Sequence, residues 1–488
     1  MLPFNNLILP DKDSRFPLYK QITSRLISLI QQGMIPPGAF FPGTRQMAGL
    51  LSVNRKTVIS AYEELLTQEW IESVDRKGYR VIPELPVIKP RTFRPLNNFV
   101  PTIVNKDLST KQSPAQTEFR QAKSSDIVVN DGFPDPELAP FKELSKVYRD
   151  EVITPRIKQL MCLKDQGGLG LLKEAASVFL NETRGLNITR EDIVITSGAQ
   201  MAIYIAASVL LSRGDHAVVT EPNYIYANDA IESTGASVIK IAVDQDGPDI
   251  DQLEEILKTI PIKLLYIVPH HHHPTTVTMS AARRRKLLQL IEQYGFYVIE
   301  DDYDYDFHYE NSPILPLACG NHNGKIIYIG SFTKLLAPSI RVGYMIAAPE
   351  IIKKAIYLRR LIDLRGDTFV EYMLSQMVIN GDLSRHIKKA NKIYAQRCDF
   401  ICDLLTRKLS HAVEFIKPLG GMAVWAKFKP EFPVKKIILD ASHAGLCMIG
   451  MSFQQPGNPH DNGLRFGFAS LSEEEMTKAV AILVKLTS

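Results

Sequence analysis

Short, almost wholly apolar runs recur at 193–196, 217–220, 264–268, 297–300 and 326–329, with helix-length stretches between several of them. An apolar run of four or five residues without alternation is a strand buried on both faces. Such strands, separated by helices, build a mainly parallel sheet covered by helices on both sides. The pattern begins at about 126. From about 370 it gives way to helices mixed with a few strands, which suits a smaller appended subdomain. The expected fold of 126–488 is therefore α/β, with an α+β subdomain over about 370–488.

The chain has 488 residues, too many for one core, and two or three domains are expected. Before the α/β pattern, residues 1–83 read differently. Ile22, Leu26, Leu29 and Ile30 mark one face of an amphipathic helix that stops at Gly33. Thr44 is placed to cap a second helix carrying Met47, Ala48 and Leu51. Asn54 is placed to cap a third, with Val58, Tyr62, Leu65 and Leu66 inward. Residues 70–74 and 79–82 alternate around 75–78, which predicts a hairpin wing. Between the two parts, 84–125 holds Pro86, Pro90, Pro95, Pro101 and Pro114. Its Lys and Arg outnumber its Asp and Glu, so it reads as a basic, semi-stiff tether. That tether is either a solvated linker or one that also runs beside DNA phosphates.

The N-terminus lacks a signal-peptide pattern, and no apolar run is long enough to span a bilayer. Five scattered cysteines, an odd number, fit a reducing interior, and Cys398 and Cys402 read as helix core. A soluble, cytoplasmic protein with no membrane partner is expected. A net charge of +4 is too mild to imply nucleic acid alone.

The third helix of the head opens with Asn54-Arg55-Lys56-Thr57, an amide, two cations and a hydroxyl suited to phosphates and base edges. Arg45 and Thr44 start the preceding helix, and Lys77 and Gly78 lie at the wing tip. Any one of these alone is an ordinary solvated position. The run Pro17-Leu18-Tyr19-Lys20-Gln21-Ile22, Phe41-Pro42-Gly43-Thr44-Arg45 and Val53-Asn54-Arg55-Lys56-Thr57-Val58 resembles the GntR-type winged helix-turn-helix over about 15–83. The resemblance implies binding of double-stranded promoter DNA. Gly43 stands where that family usually has Ser, and the wing offers Arg76-Lys77-Gly78 in place of Gly-Ser-Gly.

In the α/β part, Lys334 sits in Ser331-Phe332-Thr333-Lys334, ahead of Arg341, and Asp301 and Tyr303 follow the 297–300 strand. This set reads as a pyridoxal 5′-phosphate (PLP) pocket. The cofactor needs an amine for its aldehyde, which is Lys334. It needs a carboxylate for its pyridine nitrogen, which is Asp301, and a hydroxyl for its 3-oxygen, which is Tyr303. Its phosphate needs donors. Ser197, Gly198, Ala199 and Gln200 open a helix, and Ser331, Thr333 and Arg341 add hydroxyls and a guanidinium. Tyr224 can stack on the ring. A lone Ser-x-x-Lys is weak evidence, and the acids from Glu300 to Asp306 read equally as a cation site or a strand end. His270, His271, His272 and His273 look like a metal site or a tag scar. Four consecutive side chains cannot point one way, however, and no metal is expected.

Together these motifs resemble fold-type I, aspartate aminotransferase-like PLP enzymes. With the head in front, they resemble the MocR/GabR regulators over nearly the whole chain. The resemblance assigns Lys334 as Schiff-base lysine, Asp301 and Tyr303 as above, and Arg465 as the residue that grips an effector carboxylate. It places Gly168, Leu172 and Lys173 on a segment with Gly, Leu and Arg. It implies a homodimer, head-to-tail and domain-swapped. Three positions depart: Leu163 replaces a Tyr, His273 an Asn and Thr276 a Gly. The expected function is a PLP-dependent transcription regulator that senses an amino acid, amine or B6 vitamer through aldimine exchange at Lys334, with at most weak transamination. The alternatives are a working aminotransferase with an accessory DNA-binding domain, and a regulator whose pocket is purely structural.

Overall fold

The computed structural model describes residues 4–11, 14, 16–75, 77–83, 126–152, 154, 166–309, 314–448 and 462–488. The predicted tether 84–125, Arg76 and Leu163 lie outside the described residues. The chain divides into two units, Met1–Ser109 and Thr110–Ser488.

In the first unit the three predicted helices are Leu18–Gln31, Thr44–Leu51 and Arg55–Thr67. Ile22, Leu26, Leu29, Met47, Leu51, Val58, Tyr62 and Leu65 are buried in one core, as their spacing requires. Burying each large side chain contributes on the order of 1.5–3 kcal/mol, so this small unit has a core of its own. Asn54 caps the third helix, its side-chain oxygen accepting from the Lys56 amide at 2.9 Å. The capping expectation for Thr44 is not met. Gly43 occupies the cap and Thr44 is the first helical residue, so its hydroxyl turns outward and accepts from Arg55 Nε at 3.3 Å. The wing is an antiparallel hairpin, Ile71–Val74 with Gly78–Val81. The preceding chain joins it, through Phe41 N to Tyr79 O and Val81 N to Ala39 O. A short helix, Phe4–Leu7, also packs on this core through Phe4 against Phe41; no periodicity announced it.

The second unit is built on an eight-stranded sheet. In spatial order its strands are Ile193–Thr196, Gly343–Ile346, Ile326–Ser331, Tyr297–Asp301, Ile262–Ile267, His216–Glu221, Ser237–Asp244 and Gly247–Pro248. The middle pairs are parallel; Gly343–Ile346 runs against both its neighbours. Successive side chains on a strand face opposite ways, and both faces are covered. Val218, Leu265, Ile267 and Val298 pack with the helices Ile250–Thr259 and Ala281–Tyr294. Val219, Leu264, Tyr266 and Ile299 pack with Ala199–Leu210 and Pro349–Asp363. That two-sided burial is why these runs lack polar alternation.

After the 28-residue helix Asp382–Leu409, an antiparallel sheet forms from Val413–Glu414, Ala423–Phe428 and Gly463–Gly467. Cys398 and Cys402 are both core residues here. A second, two-stranded sheet pairs Leu446–Met448 with Ile127–Val129 in parallel. This pairing stitches the start of the unit to its end and delivers the loop after Val129 to the mouth of the main sheet. No helix among the described residues is long and apolar enough to cross a membrane.

Candidate functional site

The carboxyl ends of the parallel strands are where an open α/β sheet gathers ligand groups. Asp301 ends the strand Tyr297–Asp301, and Ser331 ends its parallel neighbour. Asp301 is buried. Its Oδ2 accepts from the Tyr266 hydroxyl at 2.8 Å, while Oδ1 meets no donor among the described residues. Burial pushes this carboxyl up to about 7, against the opposing pull of the Tyr266 hydrogen bond.

Lys334 is partly buried. Its ammonium donates to the Gly132 carbonyl at 2.9 Å and lies 4.2 Å from the Phe133 ring centre and 5.5 Å from that of Tyr303. Desolvation brings its pKa from 10.5 to about 8, with the charge of Arg465 adding to the fall and Asp131, Asp304 and Asp301 opposing it. A neutral amine is thus present at ordinary pH, as a nucleophile requires.

The chain around the Ala199–Leu210 helix start is shaped for an anion. Gly198 takes φ +89°, and a Cβ there would stand 2.6 Å from Arg341 Nη2, so only glycine leaves room for that guanidinium. Arg341 Nη2 donates to Ser197 O at 3.3 Å and is otherwise exposed. Gly343 lies against the Gly198 backbone, where a Cβ would come within 2.6 Å of the carbonyl carbon. Thr333 has a different task from the expected one. Its hydroxyl donates to Ile340 O at 2.6 Å and accepts from Val342 N at 3.2 Å, pinning the loop that carries Arg341. Ser197 donates to Asp363 at 3.2 Å, and Gln200 donates to Tyr226 O at 3.0 Å; Ser331 is buried at its strand end.

Tyr303 OH donates to His271 O at 3.2 Å and accepts from Arg465 Nη2 at 3.0 Å. His273 sets its ring edge-on to Tyr224 at 5.1 Å and donates from Nε2 to Asp131 Oδ2 at 2.8 Å. An ionised carboxylate only accepts, which places the proton on Nε2. The other histidines separate: His270 goes to Asp302, His271 to Asp304, and His272 to Thr220 and Thr275. Glu300 accepts from the amides of Leu317 and Ala318, and Asp306 from Arg184. The histidine run and the acidic run are thus knitted into each other and their surroundings.

Two residues of this site were missed from sequence. Tyr266 sits in an apolar run, and a buried tyrosine hydroxyl must find a partner, which was the available signal. Asp131 had none, because its partners are far along the chain. Its Oδ1 lies 3.2 Å from Arg465 Nε. Burial raises its pKa, but His273, Arg465 and Lys334 outweigh that and hold the carboxyl below its usual value.

The pocket fits PLP on its own evidence. The bare Asp301 Oδ1 suits a protonated pyridine nitrogen, the exposed Arg341 guanidinium against Gly198 at the helix start suits a phosphate, and the Lys334 amine is close enough to feel the Asp301 charge.

Residues 155–483 match the family "Aminotransferase class I and II", and residues 18–81 match "Bacterial regulatory proteins, gntR family". A Rhizobium meliloti protein described as "Probable rhizopine catabolism regulatory protein MocR" is 25% identical over 97% of this chain and 94% of its own length. Aromatic-amino-acid aminotransferase 1 of Thermococcus litoralis is 28% identical over 82% of this chain and 97% of its own. The crystal structure of Pyrococcus horikoshii kynurenine aminotransferase, in complex with PMP, superposes with a TM-score of 0.68 at 28% identity, covering 77% of this chain and 96% of that one. The chain belongs to the aminotransferase class I and II family, takes pyridoxal 5′-phosphate as its cofactor and, with its gntR-family winged helix-turn-helix, is a PLP-dependent regulator homologous to MocR.

Proposed function

We propose that this regulator senses a small amino compound at Lys334 and reports it to promoter DNA held by the winged head. The observation that carries this reading is the Lys334 amine, lowered to about 8 and held at Gly132 in the pocket that contains the bare Asp301 oxygen. PLP supplies an aldehyde that binds amines reversibly. Lys334 is the resident amine, and an effector amine competes with it. Asp301 Oδ1 would accept from the pyridine nitrogen and keep a proton there. The Tyr303 hydroxyl would serve the 3-oxygen, and Tyr224 and His273 would line the ring. Arg341 and the amides at Ala199 and Gln200 would hold the phosphate, the Gly198 amide already donating to Thr196 O at 2.8 Å.

In the head, Arg45, Asn54, Arg55, Lys56 and Lys77 are exposed, as groove and phosphate contacts must be. Two heads in a homodimer read paired half-sites. An effector switches the protein only if it binds two arrangements with different affinity. The test is full-length protein titrated with PLP and then with amines, followed by visible absorbance and by anisotropy of its own promoter DNA. The reading predicts a visible band that Lys334→Ala lacks, and a DNA affinity that changes with effector. A loaded protein whose promoter affinity ignores every amine sinks it.

One observation favours a second reading, working transamination. An amine near its pKa at neutral pH is also suited to move protons. Multiple turnovers of keto-acid formation by the full chain distinguish it.

A further inference from the structure

Arg465 is the residue expected to receive an effector carboxylate, and each of its guanidinium nitrogens already holds an acceptor from this chain. Nε faces Asp131, at 3.2 Å from the carboxylate and 3.3 Å from the main-chain oxygen. Nη1 donates to Pro274 O at 2.9 Å, and Nη2 donates to Tyr303 OH at 3.0 Å. Arg465 is 1% exposed and the Asp131 side chain 15%, so the pair is screened weakly by water. The second Asp131 oxygen is fixed by His273, which departs from the family's Asn. Asp131 also immediately precedes Gly132, whose carbonyl holds the Lys334 ammonium.

We propose that Asp131 is a built-in counter-carboxylate that fills the carboxylate site of Arg465, so that the effector is a primary amine without an α-carboxylate. The proposal rests on the sensing function above and narrows its ligand class. A second carboxylate at Arg465 would set two anions against one buried cation, a like-charge contact that is costly in a weakly screened pocket. It would also have to displace a carboxylate that is hydrogen-bonded to His273 through Oδ2 and ion-paired with Arg465 through Oδ1. An amine that lacks the carboxylate meets neither obstacle. It arrives as an ammonium beside Asp131 and Gly132 O, where the Lys334 ammonium already sits.

The experiment uses the PLP-loaded full-length protein and matched pairs, each an α-amino acid with its decarboxylated amine: tyrosine with tyramine, arginine with agmatine, ornithine with putrescine. Half-saturation is read from loss of the visible band of the Lys334-bound cofactor. The wild type is expected to respond to at least one amine at tenfold or more lower concentration than to its parent acid. Asp131→Asn keeps the hydrogen bond to His273 but removes the charge, and is expected to shift that ratio at least tenfold toward the acid. Asp131→Ser, which is smaller, should shift it in the same direction.

A second readout needs no cofactor band. Propionate, a carboxylate alone, should raise the melting temperature of Asp131→Asn at millimolar concentrations and leave the wild type unmoved. Wild type that prefers the acids, or variants whose ratio and propionate response match wild type, overturn the proposal. A protein that forms no visible band with PLP overturns the sensing function itself, and the two failures are told apart by that band.

Discussion

Tyr266 gives its hydroxyl proton to Asp301 Oδ2 at 2.8 Å and leaves Oδ1 bare in a buried site. A carboxylate arranged this way is half-satisfied and waits for a cationic donor. Asp301→Asn keeps the shape and removes the charge. A charge-assisted hydrogen bond contributes about 1.5–3 kcal/mol, so PLP should bind about 10- to 100-fold more weakly. Tyr266→Phe removes a neutral donor and should cost nearer 1 kcal/mol, about fivefold. Equilibrium dialysis of PLP against both variants checks the ranking; equal losses would mean that Asp301 acts only through shape.

Cofactor capture should depend on pH through Lys334. The attacking form is the neutral amine, and burial lowers its pKa from 10.5 to about 8. Capture therefore rises with pH and levels off above about 8, where an unperturbed lysine would still be climbing. At pH 7 about one amine in ten is neutral, and each further unit down cuts the rate about tenfold. Stopped-flow absorbance measures the profile, and borohydride trapping with mass spectrometry should place the modification on Lys334. A midpoint near 10 would contradict the pocket's electrostatics.

How much of this was legible beforehand depends on where each partner lies in the chain. Asp301 and Tyr303 were picked out at the end of the apolar run 297–300, because strands buried on both faces declare themselves as such runs, whereas Lys334 and Arg341 were picked out by the motifs around them and the resemblance those carry. The head could be read because Ile22, Leu26 and Leu29 keep a helical period. The Asp131–Arg465 pair could not, since it joins the loop after Ile127–Val129 to the strand Gly463–Gly467, far along the chain, where Gly467 N donates to Asn130 O at 3.0 Å. Three-residue strands carry no usable period. Thr44 was misplaced by one position for a related reason: Gly43 and Thr44 are both acceptable caps, and helix ends are the least determined part of a local pattern.

Gly198 carries a prediction about the phosphate cradle. Alanine there must take φ near +89°, and its methyl would stand 2.6 Å from Arg341 Nη2. With ψ 169°, this is a backbone region that only glycine occupies readily; the strain costs about 1–3 kcal/mol, and the guanidinium has to move away. Gly198→Ala should therefore weaken PLP at least tenfold, with far-ultraviolet circular dichroism unchanged. Arg341→Lys should weaken it less, because it retains charge but loses the two-pronged geometry. Isothermal titration with PLP and with pyridoxal, which lacks the phosphate, isolates the effect: the variants should differ from wild type for PLP alone.

Asn54 combines two roles that substitution can separate. It caps the Arg55–Thr67 helix through its side-chain oxygen, 2.9 Å from the Lys56 amide, and it stands exposed beside Arg55 and Lys56 at the helix end proposed to face DNA. Aspartate caps as well as asparagine does, so Asn54→Asp should leave the melting of the head within about 0.5 kcal/mol of wild type. It also sets an anion against phosphate, so promoter affinity should fall about 10- to 100-fold, more steeply at low salt. Asn54→Ala loses the cap instead and should cost the head about 1 kcal/mol. Calorimetry of the full chain and anisotropy of labelled promoter DNA at several salt concentrations read both effects. If Asn54→Asp binds DNA as tightly as wild type while Asn54→Ala melts early, the residue is a cap alone and the groove-facing end must be placed elsewhere in the head.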